Sequence, residues 1–424
     1  MPRSLSHPWP NGGNNGKQRA ALLLPLLILI GISLSACAMK QPPAPGPAHP
    51  AMQQPAPQTT SAAAWAELPL AGIRLADQLD FSAIMAQLAE TRVLYLGESH
   101  DRYDDHLLQL RIIKAMHRQN PKLAIGMEMF ARPRQPVLDA YLAGKLDEAE
   151  FLRQSGWFKN WGFDYRLYRE IIDFARENRL PLLALNLEKG LTGKVFREGG
   201  WASLSPEERR QLPLHPEQEA DLSLPGYRER IKASFAHHQE AENKAELFEH
   251  FLQAQALWDE TMAATAADFL GANPDYRLAV VVGKGHTDKQ NAIPPRVSRR
   301  LPVAQAVILP GGEDLPNQAS ADYLIFTPPA TLSEPVRLGV MVGDYQKAGA
   351  AGAEVSGLSP HGPAEKAGIK EKDVITGLNE QAVGSAEELK ILLFYRQKGE
   401  TAQVRIRRPG DGDAFEQLTI PVTF

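Results

Sequence analysis

The stretch Arg92-Val-Leu-Tyr-Leu-Gly-Glu-Ser-His100 joins a short apolar run to a polar end. The run Arg92–Leu96 is short and nearly all apolar, which is typical of a strand buried on both faces of a sheet. Gly97 has no side chain, so the backbone there can approach a ligand closely. Glu98 and His100 follow at once. The sequence therefore predicts a buried strand that ends in residues suited to acid–base or ligand-binding chemistry.

Two later stretches have the same form. Leu123–Met127 is followed by Glu128, and Leu278–Val282 is followed by Gly283-Lys-Gly-His286, which repeats the pattern G-x-x-H. In open parallel sheets, ligands bind outside the carboxyl ends of the strands. We therefore expect the polar residues at these strand ends to meet at one edge of a sheet: Glu98, His100, Glu128 and His286.

The chain between about 64 and 330 alternates short apolar runs with longer amphipathic stretches. Further strands are predicted at Leu182–Leu185, Ala304–Leu309 and Tyr323–Phe326, and helices at Phe163–Asn178 and Ala236–Leu270. This alternation predicts an α/β domain with a mostly parallel sheet flanked by helices. One clear strand falls between about 139 and 268, so we expect that part to include a helical insertion that covers the sheet.

The polar residues at the strand ends support two kinds of chemistry. His100, His286 and Glu128 would supply two imidazoles and a carboxylate, which together can hold a divalent metal and orient a water molecule. Without a metal, Glu98, His100, Glu128 and His286 would supply a general base and a general acid. The sequence leaves both alternatives open.

The N-terminus predicts secretion and lipid attachment. Lys17 and Arg19 precede an apolar run from 20 to 32, and small residues then lead to the single cysteine in Leu34-Ser-Ala-Cys37. A basic start, an apolar core and small residues before the cut are typical of a signal peptide, predicted here at 1–36. The Leu-Ser-Ala-Cys sequence resembles the lipobox of bacterial lipoproteins, which implies acylation of Cys37.

The segment 37–63 is rich in proline, alanine and glutamine. With so little apolar surface it predicts a disordered tether between a membrane and the first domain. Residue 39 is Met rather than Asp, so by resemblance to bacterial sorting rules we expect an outer-membrane lipoprotein that faces the periplasm. The net charge of −4 gives no reason to expect a nucleic-acid partner.

Longer passages around the strand ends resemble the ChaN family of haem-binding lipoproteins associated with iron uptake. They are Leu96-Gly-Glu-Ser-His-Asp101, Ile125-Gly-Met-Glu-Met-Phe130, Leu183-Ala-Leu-Asn186, Gln255-Ala-Leu-Trp-Asp-Glu-Thr-Met-Ala263 and Val281-Val-Gly-Lys-Gly-His286. The wider superfamily includes the TIKI proteases and erythromycin esterases, and its members differ in chemistry. Lys284 departs from the uncharged residue expected there. Its positive charge would favour an anionic group such as a haem propionate, or weaken a bound cation.

The resemblance implies a non-covalent haem that takes an axial ligand from the protein. The candidate ligands are histidines and tyrosines on the predicted helices or close to the sheet edge: His106, Tyr103, Tyr165, Tyr168 and His250. The aromatic cluster at 157–163 is interpreted as a packed helix junction, with a wall of the ligand pocket as the alternative. The oligomeric state is left open, a homodimer included.

Residues 334–424 predict a small β-rich module, because alternating segments such as Gln403-Val-Arg-Ile-Arg407 indicate half-buried strands. Arg337-Leu-Gly-Val340 and Gly362-Pro-Ala-Glu-Lys-Ala-Gly-Ile369 resemble parts of a bacterial PDZ domain. Such domains bind an extended peptide at a sheet edge and capture its terminal carboxylate. The resemblance implies that the peptide contacts Leu338, Gly339, Val340 and Leu389.

The leading hypothesis is an envelope lipoprotein that binds haem or an iron compound and carries a PDZ domain for a peptide or a protein C-terminus. The alternative is a metal-dependent hydrolase that acts on peptides or esters, with the PDZ domain presenting substrate tails. A third hypothesis is a scaffold that uses the PDZ domain alone.

The lipid anchor is testable through Cys37. Replacing it, in Cys37→Ser, should release the protein from membranes, because no other cysteine is present to be acylated. Fractionation after feeding labelled palmitate measures both the label and the location. A Cys37→Ser protein that stays in the membrane fraction would show that the lipobox interpretation is wrong.

Overall fold

The structure, a computed structural model, describes residues 78–235, 244–312, 320–347, 350–410 and 415–424. The predicted signal peptide, Cys37 and the predicted tether lie outside these residues. Among the described helices, none is both long enough and apolar enough to cross a membrane.

A parallel sheet forms the centre of the first domain. Its described strands are β1 (Val93–Glu98), β2 (Leu123–Ala131), β3 (Leu182–Asn186), β4 (Arg277–Gly283), β5 (Gln305–Pro310) and β6 (Tyr323–Ile325). They pair in parallel in the order β3-β2-β4-β1-β5-β6. β1, β3 and β4 are buried along their whole length, as expected when helices cover both faces. The predicted strands and the α/β fold class are confirmed.

Helices pack on both faces of this sheet. In chain order the described α-helices of the domain are α1 (Phe81–Gln87), α2 (Tyr103–Gln119), α3 (Gln135–Leu142), α4 (Glu148–Ser155), α5 (Trp157–Asn160), α6 (Arg166–Asn178), α7 (Lys189–Arg197), α8 (Pro206–Arg210), α9 (Pro216–Glu219), α10 (Tyr227–Phe235), α11 (Lys244–Ala272) and α12 (Ile293–Arg300). Alternate strand residues enter opposite cores, because successive side chains point to opposite faces. Leu94 and Leu96 pack with α2, whereas Val93 and Tyr95 pack with α11 and α12.

The position of β4 brings distant parts of the chain together. β4 lies between β1 and β2 although it comes much later in the sequence. Glu98 pairs with Gly283, and Met127 pairs with Val281. The ends of these strands therefore lie side by side at the carboxyl edge of the sheet. Glu128 lies within β2, one residue beyond the last pair with β4, rather than after the strand as predicted.

Two helix boundaries differ from the prediction. The helix expected from Phe163 begins at Arg166, because the carbonyl of Phe163 accepts the indole N–H of Trp157 over 2.8 Å. The carboxylate of Asp164 also accepts the backbone N–H of Arg166 over 3.0 Å, which holds the chain in a turn before the helix. The long helix is described from 244, and the first residues predicted for it, 236–243, lie outside the described residues.

The helical insertion lies between β2 and β4, around β3, as expected. A buried charge cluster fixes its long helix against α12. Glu260 on α11 is fully buried, and its carboxylate lies 3.2 Å from Nε of Arg296 and 2.6 Å from Nη1 of Arg300. A buried charge must be paired, so this contact holds α11 against α12.

A second sheet forms the C-terminal domain. Its strands are β7 (Val340–Lys347), β8 (Ala350–Leu358), β9 (Val374–Leu378), β10 (Gln381–Ala382), β11 (Thr401–Pro409) and β12 (Phe415–Thr423), with helices α13 (Pro363–Lys366) and α14 (Ala386–Phe394). The strands pair antiparallel in the order β12-β11-β9-β8-β7, with β10 beside β9. β7 is therefore an edge strand of the described sheet, and α14 contacts it. This is the β-rich module that the sequence predicts.

The central sheet should depend on close packing around β2. Met127 is 0% exposed, whereas Met341 on β7 is 63% exposed. Met127→Ala should lower the free energy of unfolding by about 2–5 kcal/mol, because it leaves a cavity in the core. Met341→Ala, the matched control, should change it by less than about 0.5 kcal/mol. Urea unfolding followed by circular dichroism measures both values, and equal costs would contradict the described burial.

Candidate functional site

The carboxyl end of β1 carries a histidine held by a buried carboxylate. Glu98 is the last residue of β1, and its Oε1 accepts a hydrogen bond of 2.6 Å from Nδ1 of His100. The hydroxyl of Tyr168 donates to the same oxygen over 3.2 Å. The side chain of His100 is 25% exposed. With Nδ1 engaged, Nε2 is the ring nitrogen left for a ligand.

The end of β4 carries a second histidine of the same kind. His286 lies in the single turn Lys284–His286 that follows β4, and its Nδ1 donates to Oδ1 of Asp259 over 2.5 Å. Asp259 is a buried residue of α11. The side chain of His286 is 15% exposed. Two imidazoles, each oriented by a buried carboxylate, therefore stand at this edge of the sheet.

Glu128 lies between the two imidazoles. Its Oε2 accepts the backbone N–H of Gly283 over 2.8 Å, and its Oε1 lies 3.5 Å from Nε2 of His286. A Cβ atom on Gly283 would lie 2.7 Å from Cε1 of His100 and 3.5 Å from Oε2 of Glu128, so a side chain there would collide with the His100 ring. The structure thus brings Glu98, His100, Glu128 and His286 together at the carboxyl edge of the sheet, a site that we call the cleft.

The surrounding carboxylates raise the pKa of both imidazoles. Burial alone lowers the pKa of His100, but the hydrogen bond with Glu98 and the charges of Glu128, Glu98 and Asp101 outweigh it and raise the pKa to about 9. Burial likewise lowers the pKa of His286, and the charges of Glu128 and Asp259 outweigh it and raise that pKa. The ring of His100 is therefore protonated near neutral pH when no ligand displaces the proton, and the shift of His286 favours its protonated form.

Aromatic rings form the walls of the cleft. The ring of Trp161 lies 4.8 Å from that of His100, and the ring of Phe163 lies 4.9 Å from it, measured between centroids. On the other side, the ring of Trp258 lies 5.5 Å from that of His286. Trp157 instead packs in the core at 1% exposure. The aromatic cluster therefore serves both as a helix junction and as a wall beside His100.

Arg230 on α10 ties the insertion to the loop that carries His286. Its Nη1 donates to the carbonyl of Gly285 over 2.5 Å, and its Nε donates to Oδ1 of Asn291 over 2.6 Å. Its Nη2 lies 3.6 Å from Oδ2 of Asp259. Although burial raises the pKa of the Asp259 carboxyl, the charges of His286, Arg296 and Arg230 and the His286 hydrogen bond together lower it. Arg230 therefore holds the second imidazole–carboxylate pair in place.

The candidate axial ligands do not lie in this cleft as a group. His106, Tyr165 and Tyr168 are at most 2% exposed and pack in the core, which a porphyrin cannot enter in this conformation. Both ring nitrogens of His106 are engaged, Nδ1 with Gln109 and Nε2 with the carbonyl of His100. These three assignments stay predictions, and in this structure the three side chains are buried packing residues.

The remaining two axial candidates lie on the surface of the domain. The hydroxyl of Tyr103 donates to Oε1 of Glu170 over 2.6 Å. His250 is half-buried on α11, where its ring faces Gly200. Neither contacts the His100 and His286 pairs among the contacts of the described residues.

The alternative metal site is not found. Within the described residues, no group of His, Cys, Asp and Glu side chains is arranged to hold a metal ion. The structure does not show the predicted metal site of His100, His286 and Glu128 among its described residues.

An apolar groove lies elsewhere on the domain. It has a volume of about 1030 Å³ and lies between α1, α2 and β6, where Leu79, Phe81, Leu107 and Phe326 line it. None of the candidate site residues lines it. The imidazole chemistry and this groove are thus separate features.

Two backbone hydrogen bonds hold the predicted peptide-binding loop against neighbouring backbone. The carbonyl of Leu338 accepts the N–H of Ala364 over 2.9 Å, and the carbonyl of Gly339 accepts the N–H of Ser359 over 2.8 Å. Gly339 has a φ of 78°, and a Cβ there would lie 3.3 Å from Gly362. Leu338 and Leu389 are both 1% exposed, so they lie in the core that underlies the loop.

Some site residues were missed in the sequence. Asp259 follows Trp258 in the quoted passage 255–263, and that passage was the available signal. Arg230 lies in a charged helical stretch without a motif, so nothing in the sequence singles it out. Its role depends on a contact with a loop far along the chain.

The parallel α/β sheet with two histidines at its carboxyl edge and the C-terminal β-rich domain define a two-domain protein. Residues 84–297 match the family described as haem-binding uptake, Tiki superfamily, ChaN, and the chain belongs to this family. Residues 330–407 match the PDZ domain family. Both resemblances noted in the sequence are confirmed. No curated protein is similar enough to the chain to count as a match.

Solved structures are similar at low identity. ChaN of Campylobacter jejuni, described with cofacial haem binding, is 18% identical over 58% of this chain and 91% of its own, with a TM-score of 0.47. A mutant of the erythromycin esterase EreC is 16% identical over 55% of this chain and 74% of its own, with a TM-score of 0.34. The PDZ domain of HtrA3, bound to a phage-derived ligand, is 16% identical over 20% of this chain and 82% of its own, with a TM-score of 0.18. At these values the similarities do not bear on function.

The pairing of Glu98 and His100 is testable by titration. In Glu98→Gln the pKa of His100 should fall from about 9 towards or below its ordinary value of 6.5, because burial then dominates. Nuclear magnetic resonance of the His100 ring measures this, with Glu170→Gln as the control. The stabilisation from the raised pKa should be complete below pH 6.5 and be lost as the pH rises through about 9. A His100 that titrates at 6.5 or lower in the unaltered protein would contradict the pairing.

Proposed function

We propose that this protein is an envelope lipoprotein that binds haem, in support of iron uptake, in the cleft between His100 and His286. Membership of the ChaN haem-binding family carries the proposal. The proposed anchor is an acylated Cys37, followed by the tether, with the folded domains in the periplasm at the outer membrane. The PDZ domain binds the C-terminus of a peptide or protein.

The donor set of the cleft fits haem. A histidine that ligates a metal through Nε2 usually gives its other ring N–H to a carboxylate, which fixes the ring orientation. Glu98 does this for His100, and Asp259 does it for His286. A porphyrin fills four coordination positions of its iron, so one or two imidazoles suffice. Haem binding therefore does not require a group of several side-chain ligands around one metal ion, which is not found among the described residues.

His100 is the proposed axial ligand, in place of the buried candidates. It is the more exposed of the two paired imidazoles, and the rings of Trp161 and Phe163 beside it offer an apolar face. Lys284 is exposed at the same strand edge and would meet a propionate. Haem, when bound, would supply the iron, and His100 would hold it through a deprotonated Nε2. The protein residues bind and orient it.

Haemin titration tests this proposal. The unaltered protein should bind haemin and shift the Soret band, and His100→Ala should weaken the affinity by roughly tenfold or more, because it removes an iron–imidazole bond. His215→Ala, an exposed histidine of the insertion, is the control and should bind as the unaltered protein does. No Soret shift in the unaltered protein would contradict haem binding. A shift that is the same in His100→Ala would contradict the assigned ligand only.

A second candidate function is metal-free ester or peptide hydrolysis in the same cleft. The supporting observation is the position of Glu128, 3.5 Å from Nε2 of His286 and beside the ring of His100. Glu128 would take a proton from water as the oxygen attacks the carbonyl carbon. An imidazolium would donate its Nε2 proton to the leaving atom, the ester oxygen or the peptide nitrogen, as its bond to the carbonyl carbon breaks. The raised pKa of both rings suits this role as an acid.

Ester hydrolysis in the presence of a chelator separates the two functions. The second candidate predicts turnover that survives the chelator and falls by about 100-fold or more in Glu128→Gln, because a general base is lost. Glu170→Gln is the control. Haem binding as the sole function predicts no turnover above background. Turnover that is insensitive to Glu128→Gln would exclude this cleft as the site of hydrolysis.

A further inference from the structure

Helix α14 of the PDZ domain packs on two domains at once. Leu389 and Leu392 face the PDZ core, whereas Ile391 is 0% exposed in the core of the α/β domain. Phe394 packs against the same core, with its ring 5.8 Å from that of Tyr165. The described residues of both domains fall in one compact unit of the chain. The PDZ domain is therefore joined to the α/β domain by an apolar contact.

Polar contacts surround this apolar centre and lead to α4 and α5. Nε and Nη2 of Arg153 each donate a hydrogen bond of 2.9 Å to the carboxylate of Glu388, which forms a bidentate ion pair. The backbone N–H of Lys159 donates to Oε1 of Glu387 over 3.3 Å. The hydroxyl of Tyr395 donates to Glu148 over 3.1 Å. These contacts join α14 of the PDZ domain to α4 and α5 of the α/β domain.

The same short segment forms the wall of the cleft on its other side. The ring of Phe158, on α5, lies 6.2 Å from that of Phe394. Trp161 comes directly after α5, and its ring lies 4.8 Å from that of His100. A continuous chain of packed rings runs from α14 to His100 in the order Phe394, Tyr165, Trp157 on α5, Tyr168, Trp161 and His100. A displacement of α14 would move the wall of the cleft.

The remaining face of α14 borders the open edge strand β7. Ala386, Lys390 and Leu393 share this face by helical spacing, and Lys390 is exposed. The backbone N–H of Ala386 donates to Oδ1 of Asp344 on β7 over 2.9 Å. A peptide added to the edge of β7 would lie against this face. The α/β domain contacts α14 on a different face and leaves this one uncovered.

We propose that the PDZ domain regulates the haem cleft through the contact of α14 with α4 and α5. This proposal rests on the proposed function, in that it assigns a regulator to the same cleft. A peptide ligand that shifts α14 relative to α4 and α5 changes the position of Trp161 beside His100. It thereby changes the affinity of the cleft for haem. By thermodynamic linkage, haem binding in the cleft changes the affinity of the groove between β7 and α14 for its peptide by the same factor.

Charge reversal of the ion pair tests this coupling in the full chain. Arg153→Glu and Glu388→Arg should each loosen the contact, and the double variant should restore it with the charges exchanged. We expect each single variant to weaken haemin affinity by about fivefold, a typical coupling, and the double variant to return it close to the unaltered value. Hydrogen exchange of the 157–161 backbone should rise in the single variants and recover in the double variant.

Glu371→Arg, an exposed charge change in the PDZ domain away from α14, is the matched control and should alter neither readout. Faster exchange at 157–161 without any change in haemin affinity would overturn the proposal, since α5 would then move without consequence for the cleft. Unchanged exchange and affinity in both single variants would also overturn it.

If the unaltered protein binds no haemin, the proposed function fails, and the indole N–H resonance of Trp161 still tests the coupling. That resonance should shift in the single variants and return in the double variant, and an unmoved resonance refutes the coupling.

Discussion

The hydrogen bond from the backbone N–H of Gly283 to the carboxylate of Glu128 is the contact on which the cleft depends. It joins β2 to the end of β4 just beyond their last paired residues, Met127 and Val281. Through it, the chain segment that carries His286 is fixed beside the segment that carries His100. Since Glu128 is buried, its charge must be compensated, and this N–H donates to its carboxylate while Nε2 of His286 lies 3.5 Å from it. The position of the cleft thus follows from the contact between β2 and the carboxyl end of β4.

Much of the fold could be predicted because its signals are local. Each buried strand is a short apolar run, and each G-x-x-H passage marks a strand end. Glu98, His100, Glu128 and His286 could be placed together because parallel strands share a carboxyl edge. The parts that could not be predicted depend on contacts between distant segments. Asp259 reaches His286 from α11, and Arg230 reaches Gly285 from α10, and neither contact has a periodic or compositional signal.

The candidate axial ligands show what sequence patterns alone cannot predict. His106, Tyr165 and Tyr168 lie close to the cleft along the chain or on neighbouring helices, yet each is buried and engaged in packing. Whether a polar side chain faces a ligand or a core depends on the rotation of its helix, which spacing alone sets only approximately. The hydroxyl of Tyr168 in fact orients Glu98, which in turn orients His100. Tyr168, predicted as an axial ligand, therefore contacts the carboxylate that holds His100.

The central claim is that haem binds in the cleft between two carboxylate-held imidazoles. A crystal of the protein grown with haemin, measured at the iron absorption edge, locates the iron directly. The account predicts an iron peak within bonding distance of Nε2 of His100, with the porphyrin against Trp161 and Phe163. An iron peak in the apolar groove between α1, α2 and β6, or at the surface near Tyr103 or His250, would contradict it.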